Sequence, residues 1–290
     1  MKSIFGNIKK NYIYTFLSTA SFQEAVWMLY LANRGMSLIQ IGLLESIFHI
    51  TSMFCEVPTH LSNFIFAFSF KEPTINRAEG NTGFRHHISD SIKAIRANKG
   101  VLRYIFYFEG FSLLYTTLYF YFQNFLKSRG YVEYQIGLVL AVSAGMGVLS
   151  AVLAYRIEKR LGEKKLIVIV SPISVLLFGL VALTRLEPLV MILISGVEGI
   201  LFVVFSDYIN KRIPSKQRAT ILSFEAMVFS VMMIVFFPVV GAVSENFGFK
   251  TAFALIAVIA LVITTLSTLI MLLKDDFAEK QDKMLEKTIE

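Results

Sequence analysis

Charge and cysteine are scarce in this sequence. Only 17% of its 290 residues are charged, against roughly 25% in a soluble domain. The chain is also 55% hydrophobic, with a mean hydropathy of +0.62. An apolar excess spread over the whole length excludes an ordinary soluble domain and points to a polytopic membrane protein. The single cysteine, Cys55, excludes an intrachain disulfide. No CxxC, HExxH or P-loop pattern occurs, so there is no metal or nucleotide signature and no cofactor is expected. The pair His86-His87 sits in a polar stretch and reads as solvated rather than as a ligand pair. A cleavable signal peptide is not expected, because the apolar run through Ser18-Thr19-Ala20 continues to Leu31.

What is abundant is apolar length. A bilayer crossing needs about 20 apolar residues. Eight windows supply it: 11–31, 41–70, 101–126, 136–155, 166–184, 189–206, 220–243 and 251–273. The fold class is therefore all-α and polytopic, with about eight transmembrane helices.

The net charge of +7 could suit a nucleic acid, but its distribution argues otherwise. With eight spans, 23 of the 28 Lys and Arg residues fall on one side. The other five are Arg34, Lys127, Arg129, Arg185 and Lys250. The positive-inside rule makes the crowded side cytoplasmic. Both termini then lie in the cytoplasm, and a multi-pass protein of the cell (plasma) membrane is expected. The basic charge orients the chain; no nucleic-acid partner follows from it.

The same count constrains the chain near its start. Residues 2–10 and 71–103 are both basic, so an even number of crossings must separate them. Window 11–31 is one crossing, and 41–70 must be the other. At 30 residues it is too long for one straight crossing and too short for two. Pro58 should kink it or end a helical piece. The expected organisation is an N-terminal two-span part (1–70), a linker (71–100), a six-helix part (101–273) and a tail (274–290). Within the linker, Ile88, Ile92 and Ile95 are spaced for a short amphipathic helix on the membrane surface.

Several stretches carry a family resemblance. "YLANRGMSLIQIGLLESIFHITSMFCEVPT" (30–59), "LAYRIEKRLGEKK" (153–165), "DYINKRIPSKQRATILSF" (207–224) and "GAVSENFGFKTAF" (241–253) resemble, in order and spacing, pieces of a bacterial major facilitator superfamily transporter of the drug-efflux-like kind. The resemblance implies twelve helices in two six-helix halves, with residues 101–273 as the intact second half. The stretch "EVPTHLSNFIFAFSFKEP" (56–73) departs from the family pattern. Its start resembles the end of the family's second helix, and "FIFAFSFKEP" resembles the end of the sixth. An internal gap is therefore expected, removing helices three to five and most of six, on the order of 100 residues. Window 41–70 becomes a hybrid of the second and sixth helices.

An acidic side chain inside a span is costly and is a functional candidate by default. Six glutamates qualify: Glu24, Glu45, Glu56, Glu109, Glu198 and Glu225. Glu45, His49, Ser52, Glu56 and Asn63 share one helical face, as do Glu109, Ser112, Thr116, Tyr119 and Gln123. Such stripes suit a substrate or proton pathway; equally, they suit helices held together by hydrogen bonds. Glu56 belongs to the EVPT element and reads as structural. Asp207 and Arg218 could form a gate pair in a cytoplasmic loop, or be solvated loop charges. Ala144, Gly147, Ala151 and Ala154 form a small-residue stripe for close helix packing.

The resemblance implies secondary active transport, with proton-coupled export (efflux) of a small amphipathic molecule and no enzymatic chemistry. The implied partners are that substrate, protons, the lipid bilayer, and a second copy or another carrier covering the absent helices. Two alternatives stay open: a transport-inactive remnant, and a membrane-embedded interaction protein. The topology is directly testable. Cysteines placed at Ser128 and at Lys164 in a Cys55-free background should label from opposite sides of the membrane, whereas labelling of both from outside would refute the eight-span arrangement.

Overall fold

The structure is a computed structural model and describes residues 27–51, 99–213, 218–266 and 268–269. The expectations for 1–26, for the junction at 56–73 with Pro58, for the linker and for the tail lie outside the described residues. Among the described residues every element is a helix. In chain order they are α1 (Trp27–Asn33), α2 (Leu38–Thr51), α3 (Lys99–Ser128), α4 (Glu133–Leu161), α5 (Glu163–Leu183), α6 (Glu187–Arg212), α7 (Arg218–Phe247) and α8 (Phe249–Leu266). The last five are long and apolar enough to cross a membrane. The chain is an all-helical, multi-pass membrane protein.

The third helix departs from that pattern for a physical reason. At 30 residues it is about 45 Å long and more than spans a hydrocarbon core of about 30 Å. It nevertheless carries Glu109, Gln123, Asn124 and many tyrosines, and it is buried around most of its circumference. Its neighbours include α1, α4, α6 and α7. Tyr107 hydrogen-bonds Ser171 of α5 at 2.8 Å, and Phe125 meets Phe253 of α8 edge-on at 5.1 Å. Thus α3 is a central post wrapped by protein, which is what lets it keep polar residues that lipid would reject.

The densest seam joins α4 to α6. On α6, Ser195, Gly196 and Gly199 let the backbones approach closely. A methyl group at Gly199 would overlap the Gly147 carbonyl oxygen and lie 2.5 Å from Ser150 Oγ. The small-residue stripe on α4 therefore does pack closely, but its register differs from the expectation. Ser143, Ser150 and Ala154 face the seam with Gly147, while Ala144 is exposed. The hydroxyl of Ser150 can point inward because it donates to the Gly147 carbonyl at 2.9 Å.

The turns between α1 and α2 and between α3 and α4 are built alike. Gly35 (φ 91°) and Gly130 (φ 88°) take the left-handed conformation that only glycine adopts without strain. Met36 N–H bonds Leu31 C=O at 3.2 Å, and Tyr131 N–H bonds Leu126 C=O at 3.1 Å. Each following helix is capped by a glutamine reaching back. Gln40 Oε1 accepts from Ser37 N–H at 2.9 Å, and Gln135 Oε1 accepts from Val132 N–H at 3.1 Å. The sequence pattern behind both is Arg-Gly, four residues, then Gln-Ile-Gly-Leu, at 34–43 and again at 129–138. The α1–α2 and α3–α4 pairs are thus two copies of one unit.

That repeat places Gly42 of α2 against α7, where the helix contains Pro238. Proline has no N–H, so the Ile234 carbonyl one turn earlier loses its helical donor. Ser46 Oγ of α2 lies 2.9 Å from that carbonyl oxygen and can donate to it. Tyr121 of α3 donates to the neighbouring Phe237 carbonyl at 3.0 Å. A Cβ at Gly42 would lie 2.8 Å from Pro238 Cα, and one at Gly241 would lie 2.7 Å from the Leu38 carbonyl. Backbone meets backbone here, so α2 is seated on the six-helix part rather than standing apart from it.

The contrast between glycines gives a stability test. Gly199→Ala should lower the melting temperature of the purified protein, because overpacking a core costs roughly 1–3 kcal/mol of stability. Gly145→Ala, where a Cβ meets nothing within 4 Å, should leave it unchanged or slightly higher through better helix propensity. Equal behaviour of the two variants would contradict the α4–α6 seam.

Candidate functional site

The polar stripe of α3 is closed at both ends and more open in the middle. Glu109 is buried, and Gln123 is fully buried, while Ser112, Thr116 and Tyr119 are half-buried. Glu109 lies about 15 Å from the start of α3, and its side chain faces Glu225 of α7. Both residues stand out singly in the sequence, as carboxyl groups inside spans; their meeting is a tertiary fact.

Glu198 belongs to a second station. It sits half-buried on α6, three residues after Ser195, in electrostatic contact with Tyr115 of α3. Tyr115 and Ser195 bring their hydroxyls to 3.3 Å. From Tyr115 an aromatic run continues along α3: Tyr119 at 6.1 Å, then Phe120 at 5.7 Å, with Trp27 of α1 edge-on to Phe120 at 5.7 Å. Rings of this kind bind apolar bodies, and their faces attract cations.

The α2 candidates form a third group. Glu45 Oε1 and His49 Nε2 lie 3.5 Å apart, one turn along α2, and His49 packs edge-on to Phe229 of α7 at 5.7 Å. This group therefore bridges α2 and α7. Ser52, Glu56, Asn63 and Glu24 lie outside the described residues.

The gate pair is not formed as expected. Asp207 pairs with Lys211 one turn on along α6, while Arg218 donates to the Asn210 carbonyl at 3.4 Å. Four residues of helix spacing put Lys211 within reach of Asp207, and it captures the carboxylate first.

Two ion pairs were not expected from sequence. Arg129 reaches Glu187 at 3.1 Å, with the glutamate side chain only 5% exposed, and ties the end of α3 to the start of α6. Arg212 grips Glu163 with contacts of 2.8 and 2.6 Å. The same carboxylate accepts from the Tyr104 hydroxyl. The signal that could have pointed to them is position: each charge sits at a helix end, where it can be paired without crossing lipid. The buried Gln123 amide has no hydrogen-bond partner among the described residues. Leaving such groups unsatisfied costs about 1–3 kcal/mol each. Among the described residues no cluster of His, Cys, Asp and Glu could hold a metal ion.

Comparison with known proteins follows this geometry. The family description "Major Facilitator Superfamily" matches residues 38–234, more than half of the chain. The chain belongs to the major facilitator superfamily. It is 26% identical over 195 residues to the uncharacterized MFS-type transporter YxaM of Bacillus subtilis (strain 168). That match covers 65% of this chain and 48% of YxaM, so the chain spans about half the length of that relative.

Proposed function

We propose that the chain is a secondary active transporter that exports a small amphipathic cation in exchange for protons. The observation that carries this reading is the Glu109–Glu225 pair, two acidic side chains from different helices facing each other inside the spans. With one proton the pair is held together across α3 and α7. Loss of that proton leaves two like charges facing each other, which favours either separation of the helices or entry of a cation. Proton release and cation binding then compete for one site, and that competition is the coupling an antiporter needs. The Glu198, Tyr115 and Ser195 station, with its aromatic run, supplies a third carboxyl group and ring faces for an amphipathic cation. The domain plan of 1–70, 71–100, 101–273 and 274–290 remains part of this proposal, as do an internal gap in the first half, placement in the plasma membrane and cytoplasmic termini.

A second reading is favoured by the outer face of α4. Gly137 is the repeat counterpart of Gly42, yet Gly42 is pressed onto Pro238 whereas a Cβ at Gly137 would meet nothing within 4 Å. Leu138, Val142, Val148, Leu149 and Val152 are exposed around it. In the twofold plan this face has no helix equivalent to α7 beside it among the described residues. A second copy of the chain, or another carrier, would cover it and complete the pathway wall.

Two experiments separate these ideas. In proteoliposomes carrying a pH gradient, the wild-type chain should move lipophilic cations against the gradient. Glu109→Gln should abolish gradient-driven flux, since Gln keeps the shape and can still hydrogen-bond but has no proton to release. Wild-type rates from Glu109→Gln would overturn the coupling role. In membranes, Gly137→Cys in a Cys55→Ser background should form an oxidative cross-link of twice the monomer mass, and Ile136→Cys, which points inward, should not. Absence of any Gly137→Cys cross-link at high expression would contradict assembly of like copies through α4.

A further inference from the structure

We infer that Gln123 binds a neutral hydrogen-bonding group of the carried solute, one that both donates and accepts, such as a primary amide or a hydroxyl. The inference deepens the transport reading and rests on it. Gln123 is fully buried, yet neither its side-chain oxygen nor its nitrogen has a hydrogen-bond partner among the described residues. Asn124, Ser143 and Ser244 each leave one buried atom in that condition, whereas Gln123 leaves its whole amide. Such orphaned groups are destabilising, and folded proteins keep few of them. This one is complementary to a ligand that brings its own donor and acceptor.

Its place on α3 joins Gln123 to the polar stripe. At about 100° per residue, Ser112, Thr116, Tyr119 and Gln123 fall within about 60° of one another. Tyr115 flanks that stripe on one side and meets Ser195 of α6. Phe120 flanks it on the other and meets Trp27 of α1. The stripe therefore faces the space between α6 and α1. Ser112 and Thr116 are half-buried there, and Gln123 closes the stripe one turn beyond Tyr119. A solute advancing along the stripe toward the end of α3 meets the Gln123 amide last.

Spacing narrows the class of solute. Tyr115, in the station with Ser195 and Glu198, precedes Gln123 by about 12 Å along the helix. A cation held at that station reaches Gln123 only if it is elongate, with its neutral polar group on the order of 12 Å from the charge. The wall between them carries the rings of Tyr119 and Phe120, which suit an apolar linker. The solute is thus a long amphipathic cation that ends in an amide or a hydroxyl, in place of a compact one.

The test uses the full chain in a neutral detergent and the fluorescence of its single tryptophan, Trp27, which stands beside Phe120 one turn before Gln123. The probes are two quaternary ammonium ions with alkyl chains of equal length, about 12 Å. One chain ends in a primary amide and the other in a methyl group. The ratio of affinities, amide-ended over methyl-ended, should be about tenfold higher in the wild type than in Gln123→Met, which keeps the length of the side chain without its amide. Before any solute is added, Gln123→Met should melt at or above the wild-type temperature, since it removes an unsatisfied group. Lower melting of the empty variant would show that bound water already satisfies the amide, and would overturn the inference. The same affinity ratio in both proteins would overturn it while leaving the cation site of the transport reading intact. Saturable binding of neither cation by the wild type would contradict that transport reading itself, and the inference with it.

Discussion

A proline inside a membrane helix leaves a carbonyl without its donor, and hydrocarbon supplies no water to replace it. Pro238 does this to Ile234 in α7, and the chain answers with Ser46 from α2, whose hydroxyl lies 2.9 Å from that carbonyl, while Tyr121 from α3 adds a bond to the Phe237 carbonyl just before the proline. Much else in the structure follows from that repair. Gly42 and Gly241 must be glycines because the helices approach to backbone contact. Glu245 near the end of α7 accepts from Ile39 N–H at 3.2 Å and so covers the first turn of α2. The short N-terminal pair is held to the six-helix part by polar contacts that lipid cannot replace, together with ring contacts such as Trp27 on Phe120.

The same logic places the acidic residues. Because α3 is wrapped by protein, Glu109 can be buried opposite Glu225 without facing lipid. The stripe is sealed at Glu109 and Gln123 and more open at Ser112, Thr116 and Tyr119. Helix-end ion pairs such as Arg129–Glu187 and Arg212–Glu163 then hold the helices at the two faces of the membrane, where charge is cheapest to keep.

Some of this was legible in the sequence. The six later helices could be read from apolar length alone, since lipid demands runs of about 20 residues and few local signals compete with that demand. Glu109 and Glu225 were recognisable singly because a carboxylate in a span is rare. Their pairing was not, because they are 116 residues apart and periodicity reports only faces of one helix. Lys211 took Asp207 from Arg218 by simple helix spacing, a local rule that could have been applied. Of the α4 stripe, Gly147 and Ala154 were read on the seam face, but Ala144 is exposed and Ser143 and Ser150 are buried instead. A serine whose hydroxyl bonds back to its own helix, as Ser150 does with Gly147, hides its polarity and can sit in a seam that looks reserved for alanine. The repeated Arg-Gly…Gln-Ile-Gly-Leu pattern was present in the letters, and its meaning lies in two left-handed glycines followed by two glutamine caps.

The central claim is that Ser46 repairs the backbone gap made by Pro238 and thereby seats α2 on α7. A double-mutant cycle on the purified full chain tests it directly. Ser46→Ala should cost about 1 kcal/mol in the wild-type background, in the range for hydrogen bonds between membrane helices. In a Pro238→Ala background, where the restored N–H can satisfy Ile234, the same substitution should cost close to nothing. An equal cost of Ser46→Ala in both backgrounds would show that the serine does not serve the carbonyl that proline exposes, and would contradict the account.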